Sequence, residues 1–256
     1  MDLLAPIEGQ FSAGPPQGKL APLGGSEPRV AGSVGAFIFD MDGTMVDSMP
    51  THTSTWGDFA RKHGLTMPID ELMGRTTGRT GMECVRLLLD QPDMPDAQAW
   101  DLLFEKEQLY RDIFGPVFAE VAGFSQFYAA TRAQGLKAGV GTAGDIHNVE
   151  FALGHLKMNP PPDAIARGDE GLSGKPTPAI FLAVAERMGV APENCVVFED
   201  APFGIEAARR AGMRAVGIGT SYSAAELAGP HVLAWARNFN ELMESNFLEK
   251  LHVVTS

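Results

Sequence analysis

The sequence predicts an α/β fold: a Rossmann-like parallel sheet core with a small helical cap inserted after the first strand. Three observations predict it. From Val121 onward, short apolar runs alternate with helical segments of about 10 to 15 residues, as parallel strands covered by helices on both faces do. Polar, chemistry-bearing residues collect where those runs end, and the carboxyl edge of an open α/β sheet is where ligands bind. Between the first run and the second, three helical segments follow one another with no strand among them, an insert of about 65 residues.

Residues 1–33 are rich in Gly, Pro and Ala and lack periodicity, so they read as a flexible N-terminal extension. The α/β core is expected over 34–50 and 121–256, and the helical cap over 51–120. The first strand is the apolar run Ala36 to Phe39, suited to burial on both faces. In THTSTWGDFARKHGL, Trp56, Phe59, Ala60 and His63 recur at helical spacing before Gly64. A second helix runs from about Gly81 to Leu89, after the turn-rich GRTTGRTG. A third covers about Asp96 to Phe114, with Trp100, Leu103, Phe104, Tyr110 and Phe114 on one face. The alternation then resumes: a helix around Phe124 to Ala133, the strand LKAGVGT, a helix from Ile146 to Leu156 and a short strand near Ala164. A helix stopping at Gly189, the strand NCVVFED, the helix FGIEAARRAG and the strand RAVGIGT follow. Val232 to Leu251 reads as a closing helix.

Composition narrows the function. Hydrophobic residues make up 45% and charged residues 20% of 256, ordinary for a soluble globular protein. A net charge of −12 disfavours nucleic acid as a partner, because that binding runs on Lys and Arg contacts to phosphates. An anionic substrate then needs a site that is locally basic or holds a metal. Cys84 and Cys195 are far apart and read as buried free thiols, in keeping with a reducing cytoplasm. No apolar run approaches a membrane span, and the N-terminus lacks the basic and apolar regions of a signal peptide.

Chemistry collects at four places. Asp40 and Asp42 follow the first strand; two acids delivered there are costly unless a cation or a reaction uses them. Asp40 can act as a nucleophile and Asp42 as acid or base, with Gly43 turning the chain and Thr44 and Ser48 offering hydroxyls to a phosphate. Read alone, Asp42-Gly43 is also common turn chemistry. Thr142 closes LKAGVGT, and with the backbone of Ala143 and Gly144 it can hold a phosphate at a helix start, or simply cap the helix. Lys175, between Gly174 and Pro176, can neutralise a carboxylate and a phosphoryl group; a surface turn lysine is the plainer alternative. Glu199 and Asp200 close NCVVFED and would complete an oxygen-ligand Mg²⁺ site with the first pair.

The order DMDGT, strand-end Thr, GKP and FED resembles the haloacid dehalogenase-like superfamily over about Ala36 to Thr220. DMDGTMVDSMPTHTSTW, GKPTPAIFLAVAERMGV and CVVFEDAPFGIEAARRAGM resemble, more narrowly, its β-phosphoglucomutase-like and fructose-1-phosphate phosphatase group. The resemblance implies Asp40 as nucleophile, Asp42 as general acid/base, and Thr142 and Lys175 on the phosphoryl oxygens. It implies Mg²⁺ on Asp40, the Asp42 carbonyl and Asp200, with Glu199 as a ligand or just behind one. His52 resembles a residue linking cap closure to Asp42, and Lys106 a cap lysine that reaches the sugar. Arg75 and Arg79 lie where the mutase grips a distal phosphate, with a shifted spacing, and Asp145 and Ile146 replace that enzyme's lysine and asparagine. The expected activity is a Mg²⁺-dependent phosphatase of small phosphorylated sugars working through an aspartyl-phosphate. A β-phosphoglucomutase using the same chemistry is the alternative, and oligomeric state stays open.

Overall fold

The computed structural model describes residues 33–251, so the extension expected over 1–33 lies, apart from Ser33, outside the described residues. Six parallel strands form the sheet: β1 (Ala36–Phe39), β2 (Lys137–Gly141), β3 (Ala164–Ala166), β4 (Cys195–Glu199), β5 (Arg214–Ile218) and β6 (Val232–Ala236). Their order is β3-β2-β1-β4-β5-β6, which makes β1 the point where the winding reverses and opens a crevice at the carboxyl edge.

Alternation along each strand builds two cores. Phe37, Phe39, Val196, Phe198, Val216 and Ile218 point to one face and pack with α5 (Phe124–Ala133) and α9 (Phe239–Glu244). Ala36, Ile38, Cys195, Val197 and Ala215 point to the other, under α7 (Ala179–Met188) and α8 (Pro202–Arg210). Phe39 stacks on Phe198 at 4.8 Å, its partner in the β1–β4 register, so the rings lock the two strands that carry the acids. Cys84 and Cys195 are buried free thiols, as expected. No described helix is long and apolar enough to cross a membrane.

The insert holds four helices rather than three: α1 (Met49–Lys62), α2 (Ile69–Thr76), α3 (Gly81–Leu88) and α4 (Asp96–Phe114). They share a third core around Trp56, Phe59, Leu72, Val85, Leu88 and Leu103. Helix α2 was hidden because it is one of eight residues with Leu72 as its main anchor, too short for a period to show. The chain leaves and re-enters the core side by side: Asp47 N donates to Ala119 O at 2.9 Å and Val121 N to Met45 O at 3.0 Å.

The closing helix expected over Val232 to Leu251 is corrected. Its first part, VLAWA, is β6, paired with β5; only then does Asn238 cap the short α9, its side chain accepting from Glu241 N. A five-residue apolar run does not distinguish strand from helix, and the open edge of β5 decided it. Elsewhere α6 (Ile146–Leu156) and α5 have the bounds read from the sequence.

Candidate active site

Parallel strands end on the same edge, and that edge gathers the acids. Phe39 pairs with Phe198, and Asp40 N donates to Phe198 O at 3.0 Å, so Asp40 leaves the ladder beside Glu199 and Asp200. Carboxylate oxygens of Asp40, Glu199 and Asp200 all lie within 4.8 Å of one another, and each residue is buried. Lys175, presented by the loop entering α7, donates to Asp40 Oδ1 at 2.5 Å and to Glu199 Oε1 at 2.6 Å. Glu199 Oε2 accepts from Ala201 N at 2.9 Å, and Asp200 Oδ2 from Ser221 Oγ at 2.5 Å.

Two glycines let the backbone close around these groups. A Cβ on Gly204 would stand 1.8 Å from Glu199 Oε1, so α8 starts against that carboxylate only because no side chain intervenes. Gly43, at φ +80°, would place a Cβ 2.2 Å from Asp200 Oδ2.

Burial and like charge dominate the electrostatics of this cluster. Burial, with Glu199 and Asp42 nearby, pushes the Asp40 carboxyl up to about 7 although Lys175 pulls the other way. Burial and the charges of Glu199 and Asp40 raise Asp200 well above the carboxylate range. Lys175, whose burial would lower it, is held above its ordinary value by Asp40 and Glu199. Three buried carboxylates against one lysine make a set of hard oxygen donors short of cationic charge, which fits a divalent cation such as Mg²⁺.

Asp42 has a separate environment. Its Oδ1 accepts from Ser48 Oγ at 2.7 Å and bonds His52 Nε2 at 3.0 Å. Burial pushes Asp42 up, but His52 and Ser48, with Lys106 beyond them, hold its carboxyl below the usual range. Lys106 on α4 meets His52 Nδ1 at 2.9 Å and lies over the Trp56 ring at 4.5 Å. The His52 ring stacks on Tyr110 at 3.9 Å.

The structure thus brings Asp40, Lys175, Glu199 and Asp200 into one cluster, and Asp42, Ser48, His52 and Lys106 into a second beside it. Thr142 is buried at the end of β2, its Oγ1 accepting from Gly144 N at 2.9 Å. Ser48, read as offering its hydroxyl to a phosphate, donates a hydrogen bond to Asp42 Oδ1. Thr44 Oγ1 is buried with no hydrogen-bond partner among the described residues. Arg75 is exposed and bonded to Glu71 at 2.6 Å, and Arg79 Nε donates to Arg75 O at 3.0 Å.

A cavity of about 30 Å³ lies between Thr80, Trp100, Leu103 and Glu107 of the insert and Ala143, Gly144, Asp145 and Asp169 of the core. It has room for about one water, so insert and core pack closely there, and none of Asp40, Asp42, Lys175, Glu199 and Asp200 lines it. A wider depression of about 430 Å³ at Arg132, Lys137 and Asn159 holds none of the acids. Its two cations are engaged, Arg132 by Asp163 and Lys137 by Met188 O.

Sequence reading missed Ser221, Tyr110, Glu107 and Asn148. Ser221 follows the end of β5, so the strand-end rule that found Thr142 reaches it too. The others were masked by an apolar reading of α4. Its buried face is Ala99, Leu103, Lys106, Glu107, Tyr110 and Phe114, whereas Phe104 is exposed.

Comparisons with known proteins bear on the family and the fold. The family model of the haloacid dehalogenase-like hydrolases matches residues 34–212. The fructose-1-phosphate phosphatase YqaB of Escherichia coli K12 is 36% identical over 185 residues, 71% of this chain and 94% of that protein. The validoxylamine A 7'-phosphate phosphatase of Streptomyces hygroscopicus subsp. limoneus is 31% identical over 198 residues, 77% and 91% respectively. Among solved structures, the β-phosphoglucomutase of Clostridium difficile superposes with a TM-score of 0.73 at 26% identity, covering 85% of this chain and 96% of that one.

Proposed function

The chain belongs to the haloacid dehalogenase-like hydrolases, and from that premise we propose that it is a Mg²⁺-dependent phosphatase of small phosphorylated sugars. One observation carries the reading: a buried carboxylate at the end of β1, held by Lys175 at 2.5 Å, with an independently tuned Asp42 two residues on.

Asp40 is the nucleophile. Lys175 grips Oδ1, leaving the second oxygen to attack phosphorus in line with the departing sugar oxygen. Asp42, protonated when an anionic phosphoryl group lies beside it, gives its proton to that oxygen, leaving an aspartyl-phosphate and a sugar hydroxyl. As a carboxylate it then takes a proton from water, which attacks phosphorus and returns Asp40 and inorganic phosphate. Thr142 and the backbone at Ala143 and Gly144 hold the phosphoryl oxygens at the start of α6. Asp40, the Asp42 carbonyl and Asp200 would hold Mg²⁺, with Glu199 seating Lys175 beside them. The metal would supply the positive charge that lets one anion approach another. The insert, residues 51–120, acts as a cap that excludes bulk water.

Relatives include β-phosphoglucomutases as well as phosphatases, so the assay must tell release of phosphate from its transfer.

The test is inorganic phosphate release from a panel of fructose 1-phosphate, glucose 6-phosphate and sorbitol 6-phosphate with and without Mg²⁺, wild type beside Asp40→Asn. Release that needs both Mg²⁺ and Asp40 is expected, with the variant down by about 10³-fold or more. Conversion of β-glucose 1-phosphate to glucose 6-phosphate without release would replace the hydrolase by the mutase.

A further inference from the structure

Four hydrogen bonds run from the core helix α6, through the cap, to Asp42. Asn148 Nδ2 donates to Glu107 Oε2 at 2.8 Å, and Lys106 Nζ to Glu107 Oε1 at 2.8 Å. Lys106 Nζ also meets His52 Nδ1 at 2.9 Å, and His52 Nε2 meets Asp42 Oδ1 at 3.0 Å. Asn148, Glu107, Lys106 and His52 are all buried.

Each link constrains the next. Lys106 carries only donors as an ammonium, so His52 Nδ1 accepts and the ring proton sits on Nε2. That proton then points at Asp42 Oδ1 and turns the carboxyl. Glu107 is what holds Lys106 in place, since the other described contacts of the ammonium are His52 and the faces of Trp56 and Tyr110. Asn148 in turn grips α4 at two points one turn apart. Its Oδ1 accepts from Arg111 Nη1 at 2.7 Å while its Nδ2 reaches Glu107. Glu107, Lys106 and Arg111 belong to the cap and Asn148 to the core, so this pair of bonds exists only when α4 lies on α6.

We propose that Glu107 and Asn148 are positioning residues for Asp42. The Asn148 clasp seats Glu107, Glu107 seats Lys106, and Lys106 fixes the His52 tautomer that aims Asp42 at the leaving oxygen, so the acid is set only when the cap is down. This rests on the phosphatase reading above and adds the cap-to-core clasp to it.

The test separates aiming the acid from general damage. Glu107→Gln, Asn148→Ala and Asn148→Asp are compared with wild type on two substrates. One is the sugar phosphate of the panel that wild type hydrolyses best, whose poor leaving group needs a proton. The other is p-nitrophenyl phosphate, followed in the first turnover, whose leaving group needs none. For Glu107→Gln, the sugar-phosphate kcat is expected to fall about tenfold or more beyond the fall in nitrophenolate release, with KM within about threefold. Asn148→Asp keeps the shape but sets a carboxylate against Glu107, and is expected to shift the ratio at least as far as Asn148→Ala. Equal losses on both substrates, in any of the three variants that folds with an intact thermal transition, would make the clasp merely structural. An unchanged ratio would also overturn it. A wild type that releases no phosphate from any sugar phosphate strikes the function beneath it, and the clasp falls with that reading.

Discussion

Lys175 shows how much one side chain decides here. It is the only cation bonded directly to Asp40 and Glu199 among the described residues, at 2.5 and 2.6 Å. Lys175→Ala leaves buried carboxylates uncompensated, and urea unfolding without Mg²⁺ should show a loss of about 3–5 kcal/mol. Phosphate release should vanish with it. Gly204→Ala probes the same lysine from behind. The new methyl must displace Glu199 Oε1, which lies 1.8 Å from its site, and so loosens the grip on Lys175. Overpacking of that kind costs about 1–3 kcal/mol, and kcat should fall while the sheet's circular dichroism is kept.

At the scale of elements, the cap helices have a core distinct from the two that sandwich the sheet. Leu103 is 3% exposed within it, and Leu103→Ala should remove about 2–5 kcal/mol of local packing. Amide exchange should then quicken in α1 to α4 and stay slow in β1, β4 and β5; uniform quickening would mean the cap and core unfold together. Helix α3 starts on a capping box in which Thr80 and Glu83 satisfy each other's backbone N–H groups. Thr80→Ala should cost about 1 kcal/mol and fray the helix that lines the cavity. Secondary structure was legible at this scale where an element was long. Helix α4, of 19 residues, has the bounds its period predicts, while α2 and β6, of eight and five, took their form from neighbours.

For the whole molecule, the acid cluster should make stability depend on pH, and on a divalent cation if the cluster holds one. Asp40 titrates near 3.8 when unfolded and near 7 when folded, so the unfolded chain releases its proton first. Stability of the metal-free protein should therefore fall as pH rises from about 4 to about 7, then level off. Asp200 acts in the same direction. Glu107, held below its ordinary 4.5, contributes the opposite slope, a loss as pH falls below about 4.5. A divalent cation held by the cluster would relieve the first effect, and at pH 5.5 it would have to displace the Asp40 proton. Mg²⁺ at about a hundred times its dissociation constant should add about 2.7 kcal/mol at pH 8, or about 5–10 °C in Tm, and distinctly less at pH 5.5. Calorimetry at the two pH values checks the sign, and an equal shift at both would remove Asp40 from the metal site.

The sequence by itself determined which edge of the sheet carries the acids. Asp40, Thr142, Glu199 and Asp200 each end an apolar run, and parallel strands place all such ends on one side, so their convergence follows from local pattern and strand polarity. Lys175 follows because its loop enters a helix on that same edge. What only the tertiary structure decided is who bonds whom. Ser48 turned to Asp42, Lys106 and Glu107 became a buried pair on an otherwise apolar face, and Asn148 met α4 across 41 residues of chain. Those contacts depend on how the insert folds back over the sheet. Periodicity records which face of a helix is buried but not what faces it across a gap, and a buried charge is tolerated only where that distant partner arrives.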